Sequence, residues 1–486
     1  MAVRVGREKV LAAGFVHISA YSGDSRRLAR RMVLASRRSR TCSNGGAMRP
    51  LAIALLINAP IFAQNLTTII DKQLSGLLEI YQDIHAHPEL SHQESRTSAL
   101  LANELRKAGY AVTERIGKYP DGSQAYGVVA VLENGPGPRL LIRADMDALP
   151  VVEETGLSYA SHVRVKNATG EEVGVMHACG HDVHVTTLIG TARALAALKN
   201  QWHGTVVLIG QPSEETIDGA QAMLADGLYK RFGTPDMAIA LHDTNDHPAG
   251  VVGITSGPAL SGATAVDVTI RGVSSHGSRP DAGKDPIVMA AEFIMQIQTI
   301  ASRQVDPRDA AVVTVGDIHA GTRRNIIPDE VKMELSVRSF SEKAREIALD
   351  GIQHAARGVA VAAGVPEDRG PIITVLDGYA PITFNNGPMT ARVKSSLVRT
   401  LGAEHVSDDP PGMPSEDFGL LGLEGHRIPT VIFWLGAMDP ARFAKAKAAG
   451  KELPGPHNSH FEPLPEPTLR TGVNAMASVA ISLLQN

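Results

Sequence analysis

The chain has 486 residues, of which 43% are hydrophobic and 20% charged, and its formal net charge is −4. This is the make-up of an ordinary globular protein with enough apolar material for two or three domains. A slightly acidic balance with no basic stripe excludes the electrostatic footprint of a nucleic-acid partner.

Residues 1–47 scatter arginines (Arg26, Arg27, Arg30, Arg31, Arg37, Arg38, Arg40) against one aspartate and one glutamate, and show no usable periodicity. They read as a non-native upstream extension or a disordered segment. From Met48 the pattern changes: Arg49 precedes the apolar run Leu51–Phe62, and Ala63-Gln64 offers a cleavage point. The run is shorter than the ~20 residues of a membrane span and suits a signal peptide over 48–63. An arginine-rich organelle transit peptide is the rival reading. The expectation is a secreted or periplasmic protein without a stable membrane span. Export would remove Cys42, leaving Cys179 as the one cysteine. A lone thiol in an oxidising compartment is best accounted for by metal ligation.

Downstream, Leu66–Ile84 and Glu94–Lys107 have helical apolar spacing, whereas Gly127–Leu132 and Arg139–Ile142 read as strands. Val183–Leu198 is an amphipathic helix, and the apolar runs Thr205–Gly210 and Met237–Leu241 are strands. Such alternation implies βα units around a mostly parallel sheet, whose ligands gather at the carboxyl ends of the strands. Asp145, Asp147, Glu214, Glu215 and His242 follow such runs. Over 259–376 the order becomes β-α-β-β-α-β: strand Ala263–Arg271, helix Pro286–Ser302, strands Ala311–Ile318 and Val331–Phe340, helix Glu342–Ala363 and strand Ile372–Leu376. That is a split βαβ sandwich set into the first domain. A helix at Met389–Leu401, a strand at Thr430–Gly436 and a helix from Thr468 complete the host. The expected fold class is α/β: a mostly parallel-sheet domain in two parts, 66–258 and 377–486, with an inserted α+β domain at 259–376.

The chemistry concentrates in Met176–His184, where three histidines, an aspartate and Cys179 share nine positions. Thiolate and imidazole donors suit Zn²⁺ and its first-row neighbours. Cys179 and His181 reach one small volume if the backbone turns through Gly180. Asp145 and Asp147 share a face of an extended segment. In extended backbone Glu214 and Glu215 point apart, so that one can bind metal while the other faces substrate. His242 and His457 add imidazoles. The set suffices for two ions ~3.5–4 Å apart, with a glutamate as general base. Blander readings compete: His184 as a packed residue, the paired glutamates as a solvated face, Asp145-x-Asp147 as a helix cap, and Cys179 in a structural zinc knuckle. The knuckle wants four closed N/S ligands, which one cysteine among carboxylates does not supply.

Further segments complete a pattern. Arg143-Ala-Asp145-Met-Asp147-Ala-Leu-Pro150, Met176-His-Ala-Cys179-Gly-His181-Asp-Val-His184 and Gln211-Pro-Ser-Glu214-Glu215 are followed by Ser275-His276-Gly277. Gly321-Thr-Arg-Arg-Asn325-Ile-Ile-Pro328, Pro414-Ser-Glu416-Asp417-Phe418 and Pro456-His457-Asn458 come after them. In these the chain resembles the di-metal amidohydrolases of the aminoacylase/carboxypeptidase family, nearest the hippurate hydrolase and indole-3-acetyl-amino-acid hydrolase branch. The resemblance implies two divalent metal ions, Zn²⁺ or Mn²⁺ with Co²⁺ or Ni²⁺ as alternatives. Cys179, His181, Glu215, His242 and His457 match the ligand positions, His460 being the alternative to the last. Glu214 matches the general acid/base and Asp147 an aspartate that orients a ligand histidine. The resemblance also implies a homodimer formed through the inserted domain, in which His276 reaches the active site of a second subunit and stabilises an oxyanion. Asn325 and Arg338 match residues that hold the substrate's carbonyl or carboxylate. The sequence departs from the pattern after His276, at Gly-Ser-Arg279, and at His460. The implied reaction is amide hydrolysis of an N-acyl amino acid or small peptide-like amide by a metal-bound hydroxide. The alternatives are a metallo-exopeptidase on short peptides, a cysteine hydrolase using Cys179 and a non-catalytic metal-binding module.

Overall fold

In the computed structural model, which describes residues 58–485 except Ala168 and Asp377, the chain begins with helix α1 (Asn58–Ala86). The upstream extension and the expected signal peptide as far as residue 57 lie outside the described residues. Leu66, Ile70, Leu74, Leu77, Tyr81 and Ile84 recur at helical spacing along α1 and form one buried stripe. Helix α2 (Ser95–Lys107) leads to strands β1 (Ala111–Lys118), β2 (Gln124–Asn134) and β3 (Arg139–Asp145). Helix α3 (His181–Ala197), expected to be amphipathic, is instead buried almost throughout, its polar residues His181, Asp182 and His184 being held by hydrogen bonds. Strand β4 (Gly204–Gln211) is buried at every position, as befits a strand covered on both faces. Strands β5 (Met237–Pro248) and β6 (Val252–Ile254) close the first part of the host.

The insertion follows: β7 (Gly262–Arg271), α4 (Pro286–Thr299), β8 (Ala311–Ala320), β9 (Glu330–Ser339), α5 (Glu342–Ala362) and β10 (Ile372–Val375). Its sheet is antiparallel in the order β8-β9-β7-β10, the arrangement a split βαβ sandwich requires. On β9, Val331, Met333, Leu335 and Val337 turn inward while Glu330, Lys332 and Glu334 face water. These residues join a hydrophobic cluster drawn entirely from the insertion. Short strands Gly257–Leu260 and Thr383–Asn385 pair antiparallel, so the two passages between host and insertion run side by side.

Helix α6 (Gly387–Leu401), strands β11 (Val406–Asp408) and β12 (Thr430–Met438) and helix α7 (Pro465–Leu484) complete the host. Its sheet has the order β1-β2-β4-β3-β5-β12-β6-β11. The four central strands β4, β3, β5 and β12 are parallel, flanked by the antiparallel pairings β1-β2, β2-β4 and β12-β6 and by a parallel β6-β11 pair at the edge. In register, Arg143 on β3 faces Ala240, whereas Trp434 on β12 faces His242. Strand β5 therefore runs past the end of its pairing with β3 and carries His242 to the carboxyl edge of the sheet. Among the described residues no helix is long and apolar enough to cross a membrane.

Candidate metal centre and acid–base site

The site forms where β3 ends at Asp145, β4 ends at Gln211 and α3 begins at His181. Gly180 caps α3 with φ 76°, the left-handed region that glycine enters without steric cost. This turn brings Cys179 and His181 onto one volume. No side chain fits there, since a Cβ on Gly180 would lie 2.1 Å from the Asp243 carboxylate.

Two donor groups share one sulfur. The donor atoms of Cys179, His181 and His242 lie within 4.8 Å of one another, and so do those of Cys179, Glu215 and His457. Cys179 Sγ is 3.5 Å from His242 Nε2, and His457 Nε2 is 3.4 Å from Glu215 Oε2. His181 Nδ1 donates to the Asp147 carbonyl and His242 Nδ1 to the Asp243 carbonyl, each at 2.7 Å. Anchored that way, both rings present Nε2 to the shared volume. His181 Nε2 and Glu215 Oε1 are buried there without a hydrogen-bond partner. Burial and then the Glu215 carboxylate push the Cys179 thiol up, and burial first raises Glu215 to about 7. A bound cation reverses both shifts. Orphaned donors, a shared sulfur and unfavourable self-charging all fit a pair of divalent cations. His457 sits exposed at the mouth with φ 67°, its N–H donating to the Ala178 carbonyl at 2.7 Å. His460 joins neither group; its ring is 3.0 Å from Ser459 Oγ and 3.7 Å from Glu154.

The two glutamates differ from the extended, opposed pair expected. Strand β4 stops at Gln211 and Ser213 takes φ 52°, so the chain turns instead of continuing. Both carboxylates therefore converge, each 3.9 Å from His181 Nε2. Glu214 accepts no side-chain hydrogen bond among the described residues, and burial, then the neighbouring Glu215, raise it well above the usual carboxylate range. Asp147 touches His181 and also supports both glutamates. Its carboxylate accepts the backbone N–H of Glu214 at 3.1 Å, that of Glu215 at 3.0 Å and the Ser91 hydroxyl at 2.7 Å. Its main-chain carbonyl, rather than that carboxylate, makes the short contact to His181; Oδ1 stands off at 3.4 Å.

Behind the donors lies a charged layer that the sequence reading did not assign. Arg143, fully buried, pairs with Asp145 at 2.5 Å, Glu416 at 3.1 Å and Asp417 at 3.2 Å, and donates to Gln211 at 3.0 Å. Burial alone would raise Asp145, but Arg143 and the histidines outweigh it and hold this carboxyl well below its ordinary value. His184 bridges onward: Nδ1–H donates to Asp145 at 2.5 Å and Nε2 accepts the Asp243 N–H at 2.9 Å. A continuous buried chain thus links Arg143 to the residue whose carbonyl anchors His242. On the other side, His85 lies between Asp182 at 2.7 Å and Glu153 at 3.1 Å. The available signals were the Arg143-x-Asp145 alternation, which puts both side chains on one face of β3, and the Glu416-Asp417 segment of the sequence pattern.

Of the inserted-domain residues, His276 and Asn325 sit together at a small two-stranded ladder, where Ser275–His276 pairs antiparallel with Ile326–Ile327. Both are exposed and neither belongs to a donor group of the described residues. Arg338 Nη1 donates to the Met413 carbonyl at 2.9 Å and Ser415 Oγ at 3.2 Å, tying β9 to the second part of the host.

The model of Peptidase family M20/M25/M40 matches residues 141–482. A hippurate hydrolase of Campylobacter jejuni is 35% identical over 349 residues, 71% of this chain and 85% of that protein. An N-acetyldiaminopimelate deacetylase of Limosilactobacillus fermentum is 33% identical over 376 residues, 77% of this chain and 92% of that one. The crystal structure of a dinuclear metal-binding peptidase of family M20 from Bacillus subtilis superposes with a TM-score of 0.68 at 28% identity, covering 85% of this chain and 99% of that chain. Since the family match runs through most of the chain and takes in all five donor residues, the protein belongs to peptidase family M20/M25/M40, as a metal-dependent amidohydrolase.

Proposed function

We propose that the protein hydrolyses the amide bond of N-acyl amino acids or small peptide-like amides, with Glu214 moving the proton. One observation carries this: Glu214 presents a buried carboxylate, free of hydrogen bonds among the described residues, beside two donor groups that share Cys179. Two divalent cations held by Cys179, His181 and His242 and by Cys179, Glu215 and His457 would supply Lewis acidity toward the scissile carbonyl and the attacking water. Burial raises the proton affinity of Glu214, which suits a group that takes a proton from water and hands it to the leaving amine. Asp147 holds both glutamate amides and so fixes where that proton is delivered. The thiolate and imidazole donors favour Zn²⁺, with Mn²⁺, Co²⁺ and Ni²⁺ admitted by the same set.

The names of the relatives, a hippurate hydrolase and an N-acetyldiaminopimelate deacetylase, support an N-acyl amino acid as substrate. Asn325 and Arg338 are proposed to hold its carbonyl and carboxylate; Arg338 keeps Nε and Nη2 free of hydrogen bonds among the described residues. His276 is proposed to act across a homodimer formed through the inserted domain, and residues 48–63 to direct export.

The test is Glu214→Gln, assayed with metal content measured on the same sample. The substitution should keep both ions while the rate falls about 10²–10⁴-fold, the usual worth of a general base. A near-wild-type rate would sink the role of Glu214. Failure of the metal-loaded wild type to release amine from a broad N-acyl amino acid panel would sink the substrate class.

A further inference from the structure

We infer that Glu94 is a positioning residue for the Glu214–Glu215 pair, holding Ser213 in the left-handed turn from which both glutamates reach the site. The inference rests on the proposed role of Glu214. Glu94 is completely buried and occupies the cap position of α2, yet its side chain makes no bond to that helix. It turns away instead, toward a segment distant in sequence. Its Oε1 accepts the Ser213 N–H at 2.8 Å, the Ser213 hydroxyl at 3.0 Å and the His92 N–H at 3.0 Å. Its Oε2 is buried with no hydrogen-bond partner. The Ser213 hydroxyl also lies 2.6 Å from the Tyr119 hydroxyl.

Ser213 needs such a clamp. A non-glycine residue at φ 52° sits in a sparsely populated region and persists only where its surroundings over-determine it. Three successive amides then point at carboxylates: Ser213 to Glu94, Glu214 and Glu215 to Asp147. Consecutive N–H groups of this kind form an anion-binding concavity, filled here by the protein's own side chains. Asp147 already serves two amides, so the Ser213 amide is left to Glu94, while the Ser213 hydroxyl also meets the Tyr119 hydroxyl and the His92 N–H. A simple cap or a diffuse electrostatic role would not require contact through one particular oxygen.

Because only Oε1 is engaged, glutamine and aspartate separate reach from the presence of an acid. Glu94→Gln keeps an oxygen able to accept from Ser213 while removing the acid. Glu94→Asp keeps the acid but falls short by one methylene. In the metal-loaded full-length enzyme, Glu94→Gln should retain kcat within about threefold, whereas Glu94→Asp and Glu94→Ala should lose roughly 10–100-fold in kcat with little change in KM. In a Glu214→Gln background, Glu94→Ala should cost no more than about twofold, since residues acting as one unit are non-additive. Thermal midpoints measured on every variant identify any loss of folding. The inference is overturned if the aspartate variant is active and the glutamine variant is not. It is equally overturned if rate losses follow the thermal midpoints rather than the reach of the side chain, or if Glu94→Ala costs its full factor without Glu214. Substantial activity in Glu214→Gln alone would instead overturn the acid–base reading, so the two failures are distinguishable.

Discussion

Gly180 carries the tightest steric constraint in the site. Its φ of 76° and the 2.1 Å approach of a built Cβ to Asp243 leave no room for alanine without moving the turn or the aspartate. Asp243 supplies the carbonyl that anchors His242, so the disturbance passes directly to a donor ring. Gly180→Ala should weaken metal binding about 10–100-fold, as loss of an orienting partner does elsewhere, and a metal titration of the folded variant measures this. Unchanged affinity would show that the turn is not what sets the donors. Residues of this kind were legible beforehand, because Cys179, Gly180 and His181 sit in one turn and their spacing can be read directly. Glu94 was not, and of Glu416 and Asp417 only the motif was legible, not the partners. Their partners lie 119 to 274 positions away, and a glutamate buried against a distant arginine is spelled like one facing water. The positive φ of Ser213 left no trace in the letters either, and without it Glu214 and Glu215 read as an extended, divergent pair.

At the level of elements, α1 and α3 are joined by ionised groups as well as by apolar packing. His85, in the last turn of α1, meets Asp182 in the first turn of α3 and Glu153 in the loop after β3. Burial works against its charge, but the hydrogen bonds to both carboxylates win and push it up to about 10. A raised folded value means stability that is present in full below the unfolded value of about 6.5 and is lost as the pH climbs through about 10. His85→Gln leaves two buried carboxylates without a cation and should destabilise the fold by roughly 3 kcal/mol at neutral pH. The gap in thermal midpoint between wild type and variant should narrow from pH 6 to pH 10; a gap of constant width would contradict the assignment of the charge. Element types were readable where periodicity was strong, as in α1, β4 and the alternating β9. Strand β1 was missed because AVTERIGK is polar and half exposed, pairing only with β2 and so escaping the demand for an apolar face. Strand β5 outran its apolar core for a related reason: Asp243 and Thr244 stay in the strand through pairing with β12, and beyond them the register shifts, with His247 held by Asp409, not by hydrophobic alternation.

For the whole molecule, the donors come from both parts of the host, Cys179 to His242 before the insertion and His457 after it. Ions bound there act as clasps between chain segments, and binding confined to the folded state raises stability by about 2.7 kcal/mol per site at a hundredfold excess over Kd. Chelation should therefore lower the thermal midpoint as well as abolish hydrolysis, with both restored by added metal; an unmoved midpoint would mean that the ions are not held by this group. If His276 serves a second subunit, mixing His276→Ala with Glu214→Gln chains should restore roughly a quarter of the wild-type sites, since half of the exchanged dimers pair one intact half-site with its missing imidazole. Exchange without recovery would confine each site to one chain. The sulfur common to both donor groups has a further consequence. A design with separate ligands degrades one ion at a time, whereas here a single two-electron oxidation of Cys179 to the sulfenic acid removes a donor from both. Cys179 is thus a common-mode failure point: inactivation by peroxide or an alkylating agent should proceed one modification per active site, with no half-loaded plateau, and bound ions should shield the enzyme by covering the atom on which both depend.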